Sequence, residues 1–140
     1  MIIEVMSKND AELYSTCMHK DKSIIISITS VKSLDAYIIP TSINGITDMI
    51  RVKYTDTDYN TVGISIKDIK RIADFVKRYK HNKYIDKLII QCEAGQSRSA
   101  GVAAAIMKYL NNDDTPIISN SKYIPNMVCY RYTLEALMEE

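Results

Sequence analysis

One short stretch of the chain carries residue types suited to phosphate chemistry. It is residues 91–99, Gln-Cys-Glu-Ala-Gly-Gln-Ser-Arg-Ser. A thiolate at Cys92 is a strong nucleophile, and the guanidinium of Arg98 can bind two oxygens of a phosphate at once. Gly95 gives the backbone between them the freedom that a tight anion-binding loop needs. The spacing therefore predicts a nucleophile at the floor of an oxyanion-binding loop.

The segments on either side of this stretch favour the same site. Residues 88–90 form a short apolar strand, and residues 99–110 form an alanine-rich helix that is apolar nearly all round. In an open parallel sheet, ligands bind at the carboxyl ends of the strands. A helix N-terminus at that edge adds positive potential and backbone N–H donors. This field favours the thiolate form of Cys92.

The rest of the chain alternates between predicted strands and helices. Strands are predicted at 23–28 and 49–54, and a polar loop over 55–60 follows the second of them. Further helices are predicted at 9–18, at 65–79 and from 125 onward. This alternation predicts an α/β fold, with a central and mostly parallel sheet flanked by helices, in a single domain over 1–140.

Several side chains are interpreted as structural. The cations at the end of the 65–79 helix are expected to be solvated at the negative end of its dipole. Cys17 and Cys129 are expected to be buried thiols. A core-facing stripe is predicted in the last helix at Met127, Tyr130, Leu134 and Leu137.

Composition excludes several classes of protein. The 140 residues are 46% hydrophobic and carry a net charge of +1, which is typical of one folded domain without a basic field for nucleic acid. No stretch approaches the roughly 20 apolar residues of a membrane span, and residues 1–5 do not resemble a signal peptide. Three widely spaced cysteines predict neither a disulfide framework nor a zinc site. We expect a cytoplasmic protein that binds neither membrane nor nucleic acid.

The pattern Cys92-x5-Arg98-Ser99 resembles the signature of the cysteine-dependent protein tyrosine phosphatase superfamily. The form Cys-x-Ala-Gly-x-Ser-Arg-Ser, with an alanine-rich helix after it, is most similar to the small dual-specificity branch. The similarity extends over roughly residues 48–138, through the aspartate-containing loop and Pro125-Asn126 before the last helix. It implies a phosphomonoester hydrolase, with phosphotyrosine as the main substrate and phosphoserine or phosphothreonine as further ones.

The resemblance also implies a role for each residue of the motif. Cys92 would attack phosphorus and form a cysteinyl-phosphate, and the Ser99 hydroxyl would help its sulfur to leave in the second step. The Arg98 guanidinium and the loop's backbone amides would hold the three equatorial oxygens. The residues that contribute those amides are Glu93, Ala94, Gly95, Gln96, Ser97 and Arg98. No metal and no cofactor is implied, and the partner is a phosphorylated protein or a small phosphomonoester.

A general acid is expected on the polar loop after the second strand. Asp56 and Asp58 both lie there, and spacing alone leaves either open, with Asp48 as a more distant alternative. Similarity of residues 53–56 to the family's strand end favours Asp56. Tyr59 on the same loop is a candidate for the aromatic wall of a phosphotyrosine pocket.

Gln91 is a departure from the family, which usually has histidine immediately before the nucleophile. Glutamine can hydrogen-bond to its neighbours but cannot carry charge. Two alternatives therefore stay open: a weak or inactive phosphate-binding module, and a phosphatase acting on a non-protein phosphomonoester. Glu93, Ala94 and Gln96 are not basic, which disfavours a phosphoinositide substrate.

Overall fold

A computed structural model describes residues 1–54 and 66–139 of the chain. Its strands and helices follow one another in the order β1 (Ile2–Met6), α1 (Lys8–Ser15), β2 (Ser23–Thr29), β3 (Ile46–Lys53), α2 (Ile66–Tyr79), β4 (Lys87–Gln91), α3 (Arg98–Asn111), α4 (Thr115–Ile118) and α5 (Met127–Met138).

The four strands form one sheet in the order β1-β4-β2-β3, and each neighbouring pair is parallel. The central strands β2 and β4 are isoleucine-rich runs buried on both faces, as parallel strands covered by helices on each side must be. The predicted fold class, an α/β domain with a parallel sheet flanked by helices, is confirmed. All four carboxyl ends therefore lie at one edge of the sheet.

The two faces of the sheet bury alternate residues of β2. Ile24, Ile26 and Ile28 pack in the larger core, which α2, α3 and α5 complete. Ile25 faces the other way, into a smaller core with Ala11 of α1 and the 36–38 segment. This alternation follows from the two-residue period of a strand. The long helices α3 and α5 pack against each other over the first face.

Several predicted boundaries and elements differ from the structure. β1 and the short α4 are not predicted from the sequence, because each is too brief to show a period. The helix predicted over 9–18 is α1, which is shorter and begins at Lys8, where the Ser7 hydroxyl accepts a hydrogen bond from the Asp10 N–H. The strand predicted from 49 begins at Ile46. The proposed helix cap at Ser65 lies outside the described residues.

Two predictions of burial are wrong. Cys17 is exposed, whereas Cys129 is buried as expected. In α5 the stripe is rotated: Met127 is exposed, Tyr130 and Leu134 are only half-buried, and Leu137 is buried as predicted. The buried face of α5 consists of Cys129, Thr133 and Leu137. Residue spacing shows the period of a helix. It does not show which of two neighbouring stripes is buried when small residues such as Cys or Thr can also lie in the core.

The basic end of α2 makes specific contacts that the dipole argument did not foresee. Lys77 Nζ donates to the carbonyl oxygens of Ala136 and Glu139 and so satisfies the last turn of α5. Lys80 Nζ donates to the Tyr109 hydroxyl on α3. Because these two lysines hydrogen-bond to neighbouring helices, their ammonium groups are less available to bind a ligand than those of free surface lysines would be.

Across the described ranges, no helix combines the length and the apolar character that crossing a bilayer requires, the longest having 14 residues.

Candidate active site

The Cys92–Ser97 loop joins the carboxyl end of β4 to the first residue of α3, Arg98. It lies at the edge of the sheet where all four parallel strands end. The apolar strand and the alanine-rich helix predicted on either side of the loop are both present. The loop therefore occupies the position at which an open parallel sheet binds its ligands.

Three neighbouring segments hold the loop by its carbonyl oxygens. The Lys8 N–H donates to Glu93 O on one side, and the Ile124 N–H donates to Gln96 O on the other. Ser97 O accepts from the N–H groups of Asn126 and Gly101. The peptide bonds are trans, so the N–H of each following residue points away from the carbonyl before it. The N–H groups of residues 94, 97 and 98 therefore point away from the segments that bind the loop carbonyls, as the N–H groups of an anion-binding loop do.

Gly95 is the point at which the loop turns against β1. Its φ is +68°, and a Cβ there would lie 2.6 Å from the Ser7 nitrogen and 2.7 Å from the Met6 carbonyl carbon. Both atoms are backbone and cannot move aside cheaply. Glycine is therefore required twice, for the left-handed conformation and for the close approach. The Cys92 N–H also donates to Met6 O, so the end of β1 fixes both sides of the turn.

Cys92 and Ser99 form a buried pair at the base of the loop. Cys92 is 2% exposed, and its Sγ lies 3.0 Å from Ser99 Oγ, within hydrogen-bond distance. The two residues come from opposite ends of the loop, so the contact depends on the turn between them. The Ser99 hydroxyl is therefore placed to donate a hydrogen bond to the Cys92 sulfur.

Arg98 is held in place on the side away from solvent. It is 5% exposed, and its Nη1 donates to Ser30 Oγ and to the main-chain oxygen of Tyr54, each at 3.0 Å. Within residues 1–54 and 66–139, its Nε is buried without a hydrogen-bond partner. A buried donor left unpaired is costly, and an oxyanion in the loop would satisfy it.

Tyr54 supports both Arg98 and the helix behind it. Its ring is buried, and its hydroxyl accepts a hydrogen bond from the Cys129 thiol of α5. Burial, followed by the neighbouring Cys129, raises the pKa of Tyr54 well above its usual value, although Arg98 opposes the rise. Neither Tyr54 nor Ser30 was predicted from the sequence as a site residue. Tyr54 ends a predicted strand at the ligand-binding edge, a signal that could have found it, whereas Ser30 carries none.

Gln91 makes a specific polar contact where the family usually has histidine. Ser27 Oγ donates to Gln91 Oε1 at 2.5 Å, and the two residues lie opposite each other in the register of β2 and β4. Both side chains are buried. The pair joins the two central strands immediately before the nucleophile, and it does so without charge.

The candidates for the general acid do not belong to the described part of the site. Asp56, Asp58 and Tyr59 lie outside the described residues. Asp48 is placed in β3 opposite Ile24, five residues before the carboxyl end of that strand. It accepts a hydrogen bond from the Tyr79 hydroxyl and lies near Arg78. Asp48 therefore lies toward the opposite edge of the sheet, and the alternative that made it the acid is wrong.

The sequence matches no protein-family model and no curated protein. Solved structures match the fold. Cydia pomonella PTP-2 phosphatase has a TM-score of 0.62 at 13% identity, with 96% of this chain and 85% of that chain covered. Human DUSP28 has a TM-score of 0.59 at 10% identity, with 96% and 90% covered. PTPMT1 in complex with PI(5)P has a TM-score of 0.58 at 15% identity, with 97% and 90% covered. The chain has the fold of the dual-specificity-type cysteine phosphatases, as the resemblance implied.

Proposed function

We propose that this chain is a cysteine-dependent phosphomonoester hydrolase that acts through a cysteinyl-phosphate. The observation that carries the proposal is the composition of the loop. A buried cysteine lies 3.0 Å from a serine hydroxyl. At the other end of the same turn lies a buried arginine whose Nε has no hydrogen-bond partner among residues 1–54 and 66–139. The fold shared with cysteine phosphatases supports the same chemistry.

In the first step, the Cys92 thiolate attacks phosphorus in line with the leaving oxygen. A sulfur–phosphorus bond forms while the phosphorus–oxygen bond breaks, and the leaving oxygen takes the proton of the general acid. Asp56 is the residue proposed for this role, with Asp58 as the alternative. Arg98 and the loop amides bind the three equatorial oxygens, whose charge increases in the transition state.

In the second step, water attacks the phosphorus of the cysteinyl-phosphate. The aspartate, now ionised, takes a proton from that water, and the sulfur–phosphorus bond breaks to release inorganic phosphate. The electron pair returns to Cys92, where the Ser99 hydroxyl donates a hydrogen bond to the departing thiolate. Ser99 therefore acts mainly on breakdown of the intermediate.

We propose phosphotyrosine in proteins as the main substrate, with phosphoserine and phosphothreonine as further ones. A small phosphomonoester is the alternative, and the solved complex of PTPMT1 with PI(5)P makes a lipid headgroup worth testing. The side chains of Glu93 and Gln96 are exposed at the loop surface and neither is basic. A polyanionic headgroup would meet no added cation there, so the protein substrate is favoured.

A phosphate-binding module without turnover is the second candidate. The observation that favours it is the Ser27–Gln91 pair, because a neutral side chain lies next to the nucleophile where the family has histidine. Such a module would use the same loop and the same arginine. It would bind a phosphorylated partner and release it unchanged.

The test is hydrolysis of an aryl phosphate between pH 5 and 7, without added metal. Wild type is expected to turn over, and Cys92→Ser to be inactive. One of Asp56→Ala and Asp58→Ala should lose activity, and the other is its matched control. If wild type is inactive while vanadate raises its melting temperature, the second candidate replaces the first. If neither turnover nor stabilisation by vanadate occurs, the loop does not bind phosphate.

A further inference from the structure

One side of α5 carries an apolar stripe that the described residues cover only in part: Tyr130 and Leu134 are half-buried, and the Tyr130 hydroxyl donates to Asp114, whereas Met127 and Met138 are exposed. The buried side of the helix, with Cys129 and Leu137, packs toward α3 and α2. The opposite side lines a groove on the outside of the molecule. The groove residues are Met127, Tyr130, Arg131, Leu134, Glu135 and Met138.

The ends of this groove are the most exposed part of it. Met127 is 51% exposed and Met138 is 66% exposed, and Leu134 lies half-buried between them. Single exposed apolar residues are ordinary, but a continuous stripe with a polar rim is typical of a contact surface. Methionine is also common at such surfaces, because its flexible thioether adapts to a neighbour.

The spacing of the groove positions along α5 is the same in both directions, although only the two end residues match in type. The positions are separated by 3, 1, 3, 1 and 3 residues, so reversing the helix exchanges each position with another. Reversal exchanges Met127 with Met138, Tyr130 with Glu135, and Arg131 with Leu134. An antiparallel copy of α5 would therefore place a groove position opposite each groove position, and a two-fold axis between the copies would make each contact occur twice.

The charges at the centre of the groove fit the same pairing. Arg131 and Glu135 are both exposed. In an antiparallel pair, each Arg131 lies opposite Leu134 of the partner subunit and one position from the Glu135 of the partner subunit. Long side chains reach that distance, so two opposite-charge pairs form across the axis. A parallel pair would instead place like charges together. Electrostatic complementarity of this kind favours one orientation over others.

We propose that α5 is a self-association surface, on which a second copy of this chain packs its own α5 in the antiparallel direction. The methionines form the two ends of the contact, and the Arg131–Glu135 pairs flank its centre. A helix of 12 residues is about 18 Å long at 1.5 Å per residue. One helix pair of that length buries less area than a stable interface does, so the dimer is weak and its population depends on concentration.

The test is sedimentation velocity of the full chain from low micromolar to several hundred micromolar concentration. Wild type is expected to shift from monomer to dimer over that range. Arg131→Glu places like charges across the axis and is expected to weaken the dimer by about tenfold or more. Glu135→Arg should do the same. The double variant R131E/E135R reverses both charges and should dimerise like wild type.

Lys83→Glu is the matched control, because it makes the same charge change at an exposed residue outside α5 and outside the groove. It should dimerise like wild type, and circular dichroism should show all variants folded. Wild type that stays monomeric at the highest concentration overturns the proposal. A dimer that both single variants leave unchanged, or that the double variant does not restore, also overturns it. None of these readouts depends on phosphatase activity.

Discussion

The surroundings of Arg98 give the strongest indication that an anion binds in the loop. It begins α3, where its positive charge opposes the positive end of the helix dipole. It is buried, yet Ser30 and Tyr54 accept hydrogen bonds only from its Nη1 within the described chain. An arginine is costly in such a place without an anionic partner. A phosphate bound by the loop would supply the missing charge and the acceptor for Nε.

Replacing this guanidinium should therefore remove binding and catalysis together. Arg98→Lys keeps the charge but loses the planar pair of donors, and we expect kcat/KM to fall by about 10²-fold or more. Ser30→Ala removes one acceptor of Arg98 Nη1 and leaves the Tyr54 carbonyl in place. The decrease in kcat/KM should therefore be smaller, about two- to tenfold, as expected for the loss of one neutral hydrogen bond. Aryl phosphate kinetics and vanadate inhibition measure both effects.

Arg71→Lys is the matched control for these variants. Arg71 is exposed in α2, where it contacts Asp68 and the main-chain oxygen of Arg51. Its kinetics should equal those of wild type. Arg98→Lys with unchanged kcat/KM would show that the guanidinium fork has no part in the reaction.

At the scale of elements, three segments from distant parts of the sequence shape one loop. The junction of β1 with α1, the 124–126 segment and the first turn of α3 each donate to its carbonyl oxygens. The sequence predicted the loop, the strand before it and the helix after it, because those signals are local. It did not predict β1 as the support, since a five-residue edge strand has no period to detect and its partner is chosen by long-range pairing.

Gly95 joins the loop to that support, so it should tolerate no side chain. Gly95→Ala adds about 1–2 kcal/mol of left-handed backbone strain, and its methyl group would meet the backbone of Met6 and Ser7. We expect a lower melting temperature and loss of the stabilisation that vanadate gives to wild type. A thermal shift assay with and without vanadate measures both.

Gln96→Ala is the control for Gly95→Ala. Its side chain is exposed in the same loop, and the substitution needs no unusual backbone angle. Its melting temperature and vanadate shift should match those of wild type. Full vanadate stabilisation in Gly95→Ala would mean that the turn against β1 is not needed to form the anion site.

At the scale of the whole molecule, parallel pairing brings the chemistry to one edge. The Cys92 loop leaves β4 and the loop with the two aspartates leaves β3, and both strands end on the same side of the sheet. The alternation of strands and helices was enough to predict this. The strand order and the outward stripe of α5 were not predictable, because they depend on which apolar faces meet after folding. The sequence showed that Gln91 stands where the family usually has histidine. It did not show that Ser27 is the hydrogen-bond partner of Gln91, because the register between β2 and β4 determines that contact.

Tyr54 links the stability of the whole fold to pH. Burial raises its pKa in the folded state above the unfolded value of about 10. The neutral phenol therefore contributes its full stability below pH 10, and this contribution is lost as pH rises further. Tyr54→Phe removes the ionisable group, so its unfolding free energy should fall less than that of wild type between pH 8 and 10.5. Urea denaturation at the two pH values measures the difference.

Tyr84→Phe is the control for Tyr54→Phe, because it makes the same substitution at an exposed tyrosine. Its pH dependence should equal that of wild type. An equal loss of stability in wild type and Tyr54→Phe would contradict the burial of a neutral phenol behind Arg98.

The central claim, that Cys92 carries the phosphoryl group, is tested most directly by rapid acid quench during turnover of an aryl phosphate, followed by peptide mass spectrometry. We expect a phosphoryl group on the peptide containing Cys92, its absence in Cys92→Ser, and a longer-lived signal in Ser99→Ala. Turnover that persists in Cys92→Ser, or that proceeds in Ser99→Ala without any phosphorylated Cys92, would contradict it.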